Sequence, residues 1–539
     1  YLLSYCCLYF LADAEGIDRE AIDGRLDFYP NYLEILQALA LSRPRSMSDK
    51  PMLDRATELC TLMHEVTNSF QLRSYDLPEG ISDLENKKRF VLFLLQSETA
   101  AIRNPAYSHQ SREYVKKLFT RLSTDFERIY EIDPKRLIDA LYALVDRMEI
   151  SLNLHLHALA NFRKEKTWQK VWEVYVEEFP MASNDPTDST EGRRIWDLAR
   201  GNLDEMKDTL HLYSDLFLPT VFAFTLDEFA ELYGDSTKTE ELRKILDAWS
   251  YGFADLKDED PEHFILTNPV LKRPIVKLSD DAYFFPLTNI IGHILPMMME
   301  TLVRKEGDKA IGKYNKAKAG LLESEAYEHF RLRFPNAGIF RGSQWSDGTG
   351  SKVYENDLLL VIDRFAIVVE CKSGAVDASA RRGGEFRVVD TLKNLVVDAA
   401  DQAGRFIRFL SENPGVHEFA TRRGDTNVID ISFVEHYVPL SLTQEDLGAV
   451  SGNIRMCVEA GLIENFPDLL IPTMSIHDLE VILTILENEV EVLHYLTRRA
   501  QLEQQIRYLG DEGDLLAFYL DTGFNPVSYT HLTLPTKRI

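Results

Sequence analysis

The stretch that most limits what this chain can fold into is "YENDLLLVIDRFAIVVECKSG", Tyr354 to Gly374. Two short runs of branched apolar residues, "LLLVI" and "AIVV", flank Asp363-Arg364, a pair suited to a turn. Runs of this length, rich in Val, Ile and Leu and bounded by polar residues, read as buried strands rather than helix. The expectation is therefore an antiparallel hairpin, roughly 356–362 and 366–372. Its open end carries Asp357 on one strand and Glu370 and Lys372 on the other. Side chains alternate along a strand, so Glu370 and Lys372 share a face and Cys371 points the other way. The antiparallel turn brings Asp357 to the same end.

Two converging carboxylates make a hard, oxygen-rich site, suited to Mg²⁺ or Mn²⁺. A nearby lysine can hold a water or neutralise charge growing on a phosphate. Around the hairpin, "KAKAGLLESEAYEHFRLRF" reads as a helix and "GSQWSDGTGSK" as a loop. "DTLKNLVVDAADQAGRFIRFLSENPG" reads as a helix stopped at Asn413-Pro414-Gly415, and "VIDISFVEHYVPLSL" as a further strand run. This alternation predicts a mixed sheet flanked by helices.

Asn356-Asp357, twelve intervening residues and then Glu370-Cys371-Lys372 resemble the D…ExK signature of the PD-(D/E)XK nuclease superfamily, nearest its nuclease-related-domain and Mrr-like branches. The resemblance covers about 311–445. The family's leading proline is replaced by Asn356. The resemblance implies a restriction-endonuclease-like fold, a Mg²⁺- or Mn²⁺-dependent nuclease acting on nucleic acid, first of all DNA, and a restriction, repair or anti-phage setting. It implies Asp357, Glu370 and Glu323 as metal ligands. Glu323 shares a helical face with Ala326, Tyr327 and Phe330, whereas Glu325 lies opposite. Lys372 and Gln402 complete the implied catalytic set. Glu355 is a further candidate ligand. Arg381, Arg382, Arg387 and Arg405, with Arg408, are candidate phosphate contacts, the first three on a loop, "SARRGGEFR". A catalytically silent binding or scaffold protein of the same fold, and an RNA-directed nuclease, are the alternatives.

The rest reads as an α+β multidomain chain with much helix. Residues 1–265 are expected to be mainly helical, of unknown role, and 266–310 a small hairpin with a connecting helix. The nuclease-like domain occupies 311–445 and a helical region 446–527. The helical regions are where a second copy or a partner protein is expected to bind. "YLLSYCCLYFLADA" reads as a core helix, and "SYTHLTLPT" resembles a sequencing adapter, so 528–539 is expected to pack against nothing.

Net charge is −26, which argues against coating a polyanion over the whole surface. Residues 311–430 hold 17 Lys+Arg and 17 Asp+Glu, so that segment is neutral. Five scattered cysteines suggest free thiols and a cytoplasmic setting, and no spanning helix is expected. Two near-motifs carry nothing. "GDKAIGKY" has Tyr314 where a phosphate loop needs Ser or Thr, and the histidines of "HLH" (155–157) do not share a helical face.

Overall fold

The computed structural model describes residues 3–4, 6–7, 30–45, 55–72, 81–102, 106–182, 189–346, 352–422, 424–463, 470–505, 508–525 and 532–533. It divides into two compact units, Tyr1–Asn68 with Phe119–Lys305 and Ser69–Leu118 with Glu306–Ile539. The boundaries differ from those read in sequence. Residues 69–118 leave the N-terminal helical region, 266–305 of the 266–310 segment joins the first unit, and 446–527 shares a core with the nuclease-like segment.

The first unit is built around the helix Pro134–Arg163. Asp133 caps it, accepting the Lys135 N–H at 2.8 Å, and Pro134 fills the first turn, where no donor is needed. Leu137, Leu141, Leu144 and Met148 form its buried stripe. The expected hairpin is present as Ile275–Lys277 and Ala282–Phe284, within a small four-stranded sheet. "GDKAIGKY" runs into the start of a helix in the second unit, not a phosphate loop.

In the second unit we label α1 (Asp83–Ala101), α2 (Ser108–Arg121), α3 (Asp308–Arg333), β1 (Gly338–Ser346), β2 (Val353–Ile362), β3 (Phe365–Lys372), α4 (Glu385–Leu392) and α5 (Asp398–Glu412). There follow β4 (Val416–Ala420), β5 (Thr426–Asp430), β6 (His436–Thr443), β7 (Thr473–Ser475), α6 (Ile476–Ile485), α7 (Glu489–Gln505) and α8 (Glu512–Thr522). The seven strands lie in the order β7-β6-β3-β2-β1-β4-β5. β6 is parallel to both β3 and β7; the remaining pairs are antiparallel. This is a mixed sheet flanked by helices, as expected.

The hairpin turns where its sequence turns: Ile362 pairs with Phe365, and Asp363 takes a left-handed φ of 50°, which Asp tolerates better than most residues. One face of the sheet buries Leu358, Leu360, Ile367 and Val369 against Leu322, Ala326 and Phe330 of α3 and residues of α6 to α8. The other buries Leu359, Ala366 and Val368 against Ala399, Ala403, Phe406 and Leu410 of α5. The spacing 399, 403, 406, 410 is one helical stripe. Its alanines let α5 lie close to the sheet at the end where Gln402 sits.

Other elements depart from expectation. The loop read at "GSQWSDGTGSK" begins as strand, because Ser343 and Trp345 are buried on the sheet. The long helix after β3 is interrupted by a π turn at Lys393–Val397, which shifts its register before α5. The strand run read at 428–442 is two strands, β5 and β6, with a turn between. Of 528–539, only Leu532 and Thr533 are described. Their backbone pairs with that of Tyr508 and Leu509, and the other residues of 528–539 lie outside the described residues. Ser475 and Asp478 form the expected reciprocal cap.

Candidate metal and phosphate site

Gly342 lies opposite Asp357 in the β1–β2 ladder and has a φ of 60°, a left-handed conformation that suits glycine. The ladder pairs Arg341 with Leu358 and Ser343 with Asn356, but skips this position. The regular alternation of β2 breaks here. Tyr354 joins Leu359 and Val361 on the α5 face, although strict alternation would put it with Leu358 and Leu360. The β2–β3 ladder also ends at Leu358 and Val369. Beyond it, Asp357 Oδ2 accepts the Cys371 N–H at 2.7 Å, so a carboxylate replaces the next ladder bond.

Glu370 is 1% exposed, and its Oε1 accepts from Asn356 Nδ2 at 3.0 Å. The two carboxylates face each other. Burial and the Asp357 charge raise the Glu370 pKa well above the usual carboxylate range. Burial also raises Asp357, opposed by the Cys371 N–H and the Lys372 charge. Two carboxylates this close oppose each other's ionisation. Lys372 Nζ turns to Gln402 Oε1 at 2.5 Å, so α5 and β3 meet as expected.

Glu323 is half-buried on α3, and its pKa is raised by burial and then by the Asp357 charge, opposed by Arg341. It is thus an electrostatic neighbour of Asp357, as its helical face predicts. Glu325 does lie elsewhere, paired with Lys117 at 2.6 Å. Among the described residues, however, no three His, Cys, Asp or Glu side chains are gathered as a metal-ligand group. The expected triple of Asp357, Glu370 and Glu323 is therefore reduced to the first two in this geometry. Glu355 is paired with Arg422 at 2.5 Å, and the break in alternation takes it off Asp357's face. The donor set of two buried carboxylates fits a hard dication, because positive charge would offset their mutual repulsion.

The arginines separate. Arg381 pairs with Glu445 at 2.6 Å, and Lys318 reaches the same carboxylate at 3.4 Å. "SARRGGEFR" is not a free loop. It forms a short helix Ala378–Arg381, a turn with Gly383 at φ 81°, and the start of α4. α1 holds it, with Gln96 donating to the Arg382 carbonyl at 2.8 Å and Lys88 paired with Glu385 at 2.8 Å. Arg387 is exposed beside Phe386. Arg405, one turn beyond Gln402, lies over the Tyr354 ring at 5.2 Å, with its Nε buried and lacking a hydrogen bond.

Sequence reading missed Asn356 as a partner of Glu370, and missed Lys318 and Glu445 altogether. A buried lysine in an otherwise apolar helical stripe was the available signal for Lys318. In the first unit, His155 is buried 3.5 Å from Asp215 while His157 is exposed, in line with their placement on different faces. No helix among the described residues is long and apolar enough to cross a membrane. No family model matches the chain, and neither does any curated protein or solved structure.

Proposed function

We propose that the second unit is a dication-dependent phosphodiesterase of the restriction-endonuclease-like type, acting on nucleic acid, with DNA as the first substrate to test. The observation that carries the reading is the convergence of the buried Asp357 and Glu370 where the β2–β3 ladder ends, with Lys372 held beside them by Gln402. The order α3, three antiparallel strands, α5 and a strand parallel to β3 supports it as well.

In this reading Asp357 and Glu370 would hold Mg²⁺ or Mn²⁺, which when bound would supply an activated water and stabilise charge on the phosphate. Lys372 Nζ, kept in place by Gln402 Oε1, orients the attacking water and neutralises the growing negative charge. Glu323, half-buried and with its pKa raised by burial and the Asp357 charge, adds a further carboxylate near Asp357. Arg387 and Arg405 offer positive charge to the backbone of the substrate, whereas Arg381 is already committed to Glu445.

The test incubates the purified chain with linear, circular and single-stranded DNA and with RNA, in Mg²⁺ and in EDTA. The expected result is cleavage in Mg²⁺ that is lost in EDTA. Cleavage surviving EDTA would remove this site as the catalyst. Tight binding with no cleavage of any substrate would favour a silent binding module, a reading that the two-carboxylate rather than three-carboxylate geometry keeps open.

A further inference from the structure

We propose that Asn356 is a positioning residue that makes the Asp357–Glu370 pair select a small, six-coordinate dication over Ca²⁺. The inference rests on the dication-dependent reading above and deepens it.

Asn356 is 0% exposed, a costly place for an amide. Its Nδ2 donates to Glu370 Oε1 at 3.0 Å and to the Val369 carbonyl at 3.2 Å. A backbone carbonyl only accepts, so the nitrogen must face this way and the amide cannot be flipped. Its Oδ1 is buried without a hydrogen bond. A fully buried amide that leaves its own oxygen unsatisfied is not optimised for stability. What it gains is a fixed donor on Glu370.

The effect on the site follows from counting oxygens. Glu370, 1% exposed, cannot swing outward, and its Oε1 already takes the Asn356 donor. Asp357 Oδ2 already takes the Cys371 N–H. Each carboxylate therefore presents one oxygen that no protein N–H holds. Two single-oxygen ligands suit Mg²⁺, which demands octahedral geometry and keeps several waters. They serve Ca²⁺ poorly, since it takes about six to eight oxygens and favours carboxylates that chelate with both. Asn356 thus acts behind the ligand, on its orientation, and never on the cation itself.

Calorimetric titration of the full chain with Mg²⁺, Mn²⁺ and Ca²⁺ tests this, with wild type and Asn356→Ala compared and melting temperature recorded for both. Wild type is expected to bind Mg²⁺ at least as tightly as Ca²⁺. Asn356→Ala frees Glu370 to chelate, and the ratio of Ca²⁺ to Mg²⁺ affinity is expected to rise about tenfold. A folded variant with dication binding intact and that ratio unchanged would overturn the role of Asn356 while leaving the metal reading in place. Should the variant not fold, Eu³⁺ luminescence lifetimes in H₂O and D₂O on wild type count the waters retained on the ion. A count that fits two chelating carboxylates overturns the proposal, and a higher count that fits two single oxygens supports it. Wild type that binds no dication removes both this inference and the reading beneath it.

Discussion

Two carboxylate sites lie at the same end of the sheet in the second unit, and their protons behave in opposite ways. Glu370 on β3 faces Asp357, and burial with that like charge raises its pKa. Glu445 follows β6 by two residues, and Thr443 of β6 pairs with Lys372. Burial pushes Glu445 upward too, but Lys318 and Arg381 overcome it and hold its pKa low. One carboxylate has two cations and is settled. The other has a carboxylate for a neighbour, while the nearest lysine turns aside to Gln402. Buried structural charges are usually paired, as Glu445 is; the Asp357–Glu370 pair is instead the arrangement that the proposed dication would neutralise.

The contrast can be broken most forcefully at Lys372. Lys372→Ala is expected to lower cleavage roughly a hundred- to ten-thousand-fold, since it removes only a group acting on the water or the transition-state charge. Dication affinity by calorimetry should stay within a few-fold. Equal loss of both would make Lys372 a structural partner of the carboxylates.

Glu445→Gln addresses the settled site. It strands Lys318, 6% exposed, and Arg381 without their carboxylate. The expected loss is about 2–4 kcal/mol of stability, below the range for a fully buried pair because the Arg381 side is partly open. Denaturant unfolding reads it, and a melting point equal to wild type would show the latch to be inert.

The pH dependence of stability sharpens the comparison through its sign. A raised folded-state pKa at Glu370 and Asp357 gives stability that is fully present below about pH 4 and is lost as pH rises toward the folded values. A lowered pKa at Glu445 gives the reverse: stability present above the ordinary carboxylate range and lost as pH falls through the folded value. Metal-free Asp357→Asn should therefore lose less stability than wild type between pH 5 and 8, whereas Glu445→Gln should lose less than wild type on acidification. Saturating Mg²⁺ should flatten or invert the wild-type slope above pH 5, because binding requires both carboxylates ionised. Melting curves across pH with and without Mg²⁺ decide it, and identical slopes in wild type and Asp357→Asn would mean the two carboxylates do not interact.

The smallest effect is expected from Asp357→Asn at neutral pH without metal. The repulsion with Glu370 disappears, while the amide oxygen can still accept the Cys371 N–H. The net change should lie within about 1 kcal/mol, on the stabilising side. A loss of several kcal/mol would place Asp357 among the groups that hold the sheet together.

Much of this end of the sheet could be read from the chain because its constraints are local. Alternation assigns Leu358 and Leu360 to one face and Leu359 to the other, and it places Glu370 with Lys372. A helical stripe assigns Glu323 to its face, whereas Gln402 is expected only from the family resemblance. Alternation fails at Tyr354 and Glu355, because the break depends on Gly342 taking a left-handed φ in a neighbouring strand. Nothing in "YEND" announces that. The Glu445 latch was equally opaque, joining residues from α3, the segment after β3 and the end of β6. Pairings across 127 and 64 positions leave no periodic trace in sequence. The Arg381–Glu445 pair was opaque for the same reason: a free cation and a paired one look alike in a string of letters.

The place of α1 has a consequence for how the chain is made. Val91 and Leu95 are buried against Val376, Val388, Leu392 and Leu395, and against Leu447 to Ile463 further on. A ribosome releases α1 long before any of these partners exist. At typical synthesis rates the wait is on the order of tens of seconds, during which α1's apolar stripe has no native cover. The helix that secures the segment beyond Lys372 is therefore synthesised well before the segments that enclose it. A nascent chain carrying the hairpin alone lacks the closing half of its own scaffold, and that half is complete only once Leu447 to Ile463 have been made.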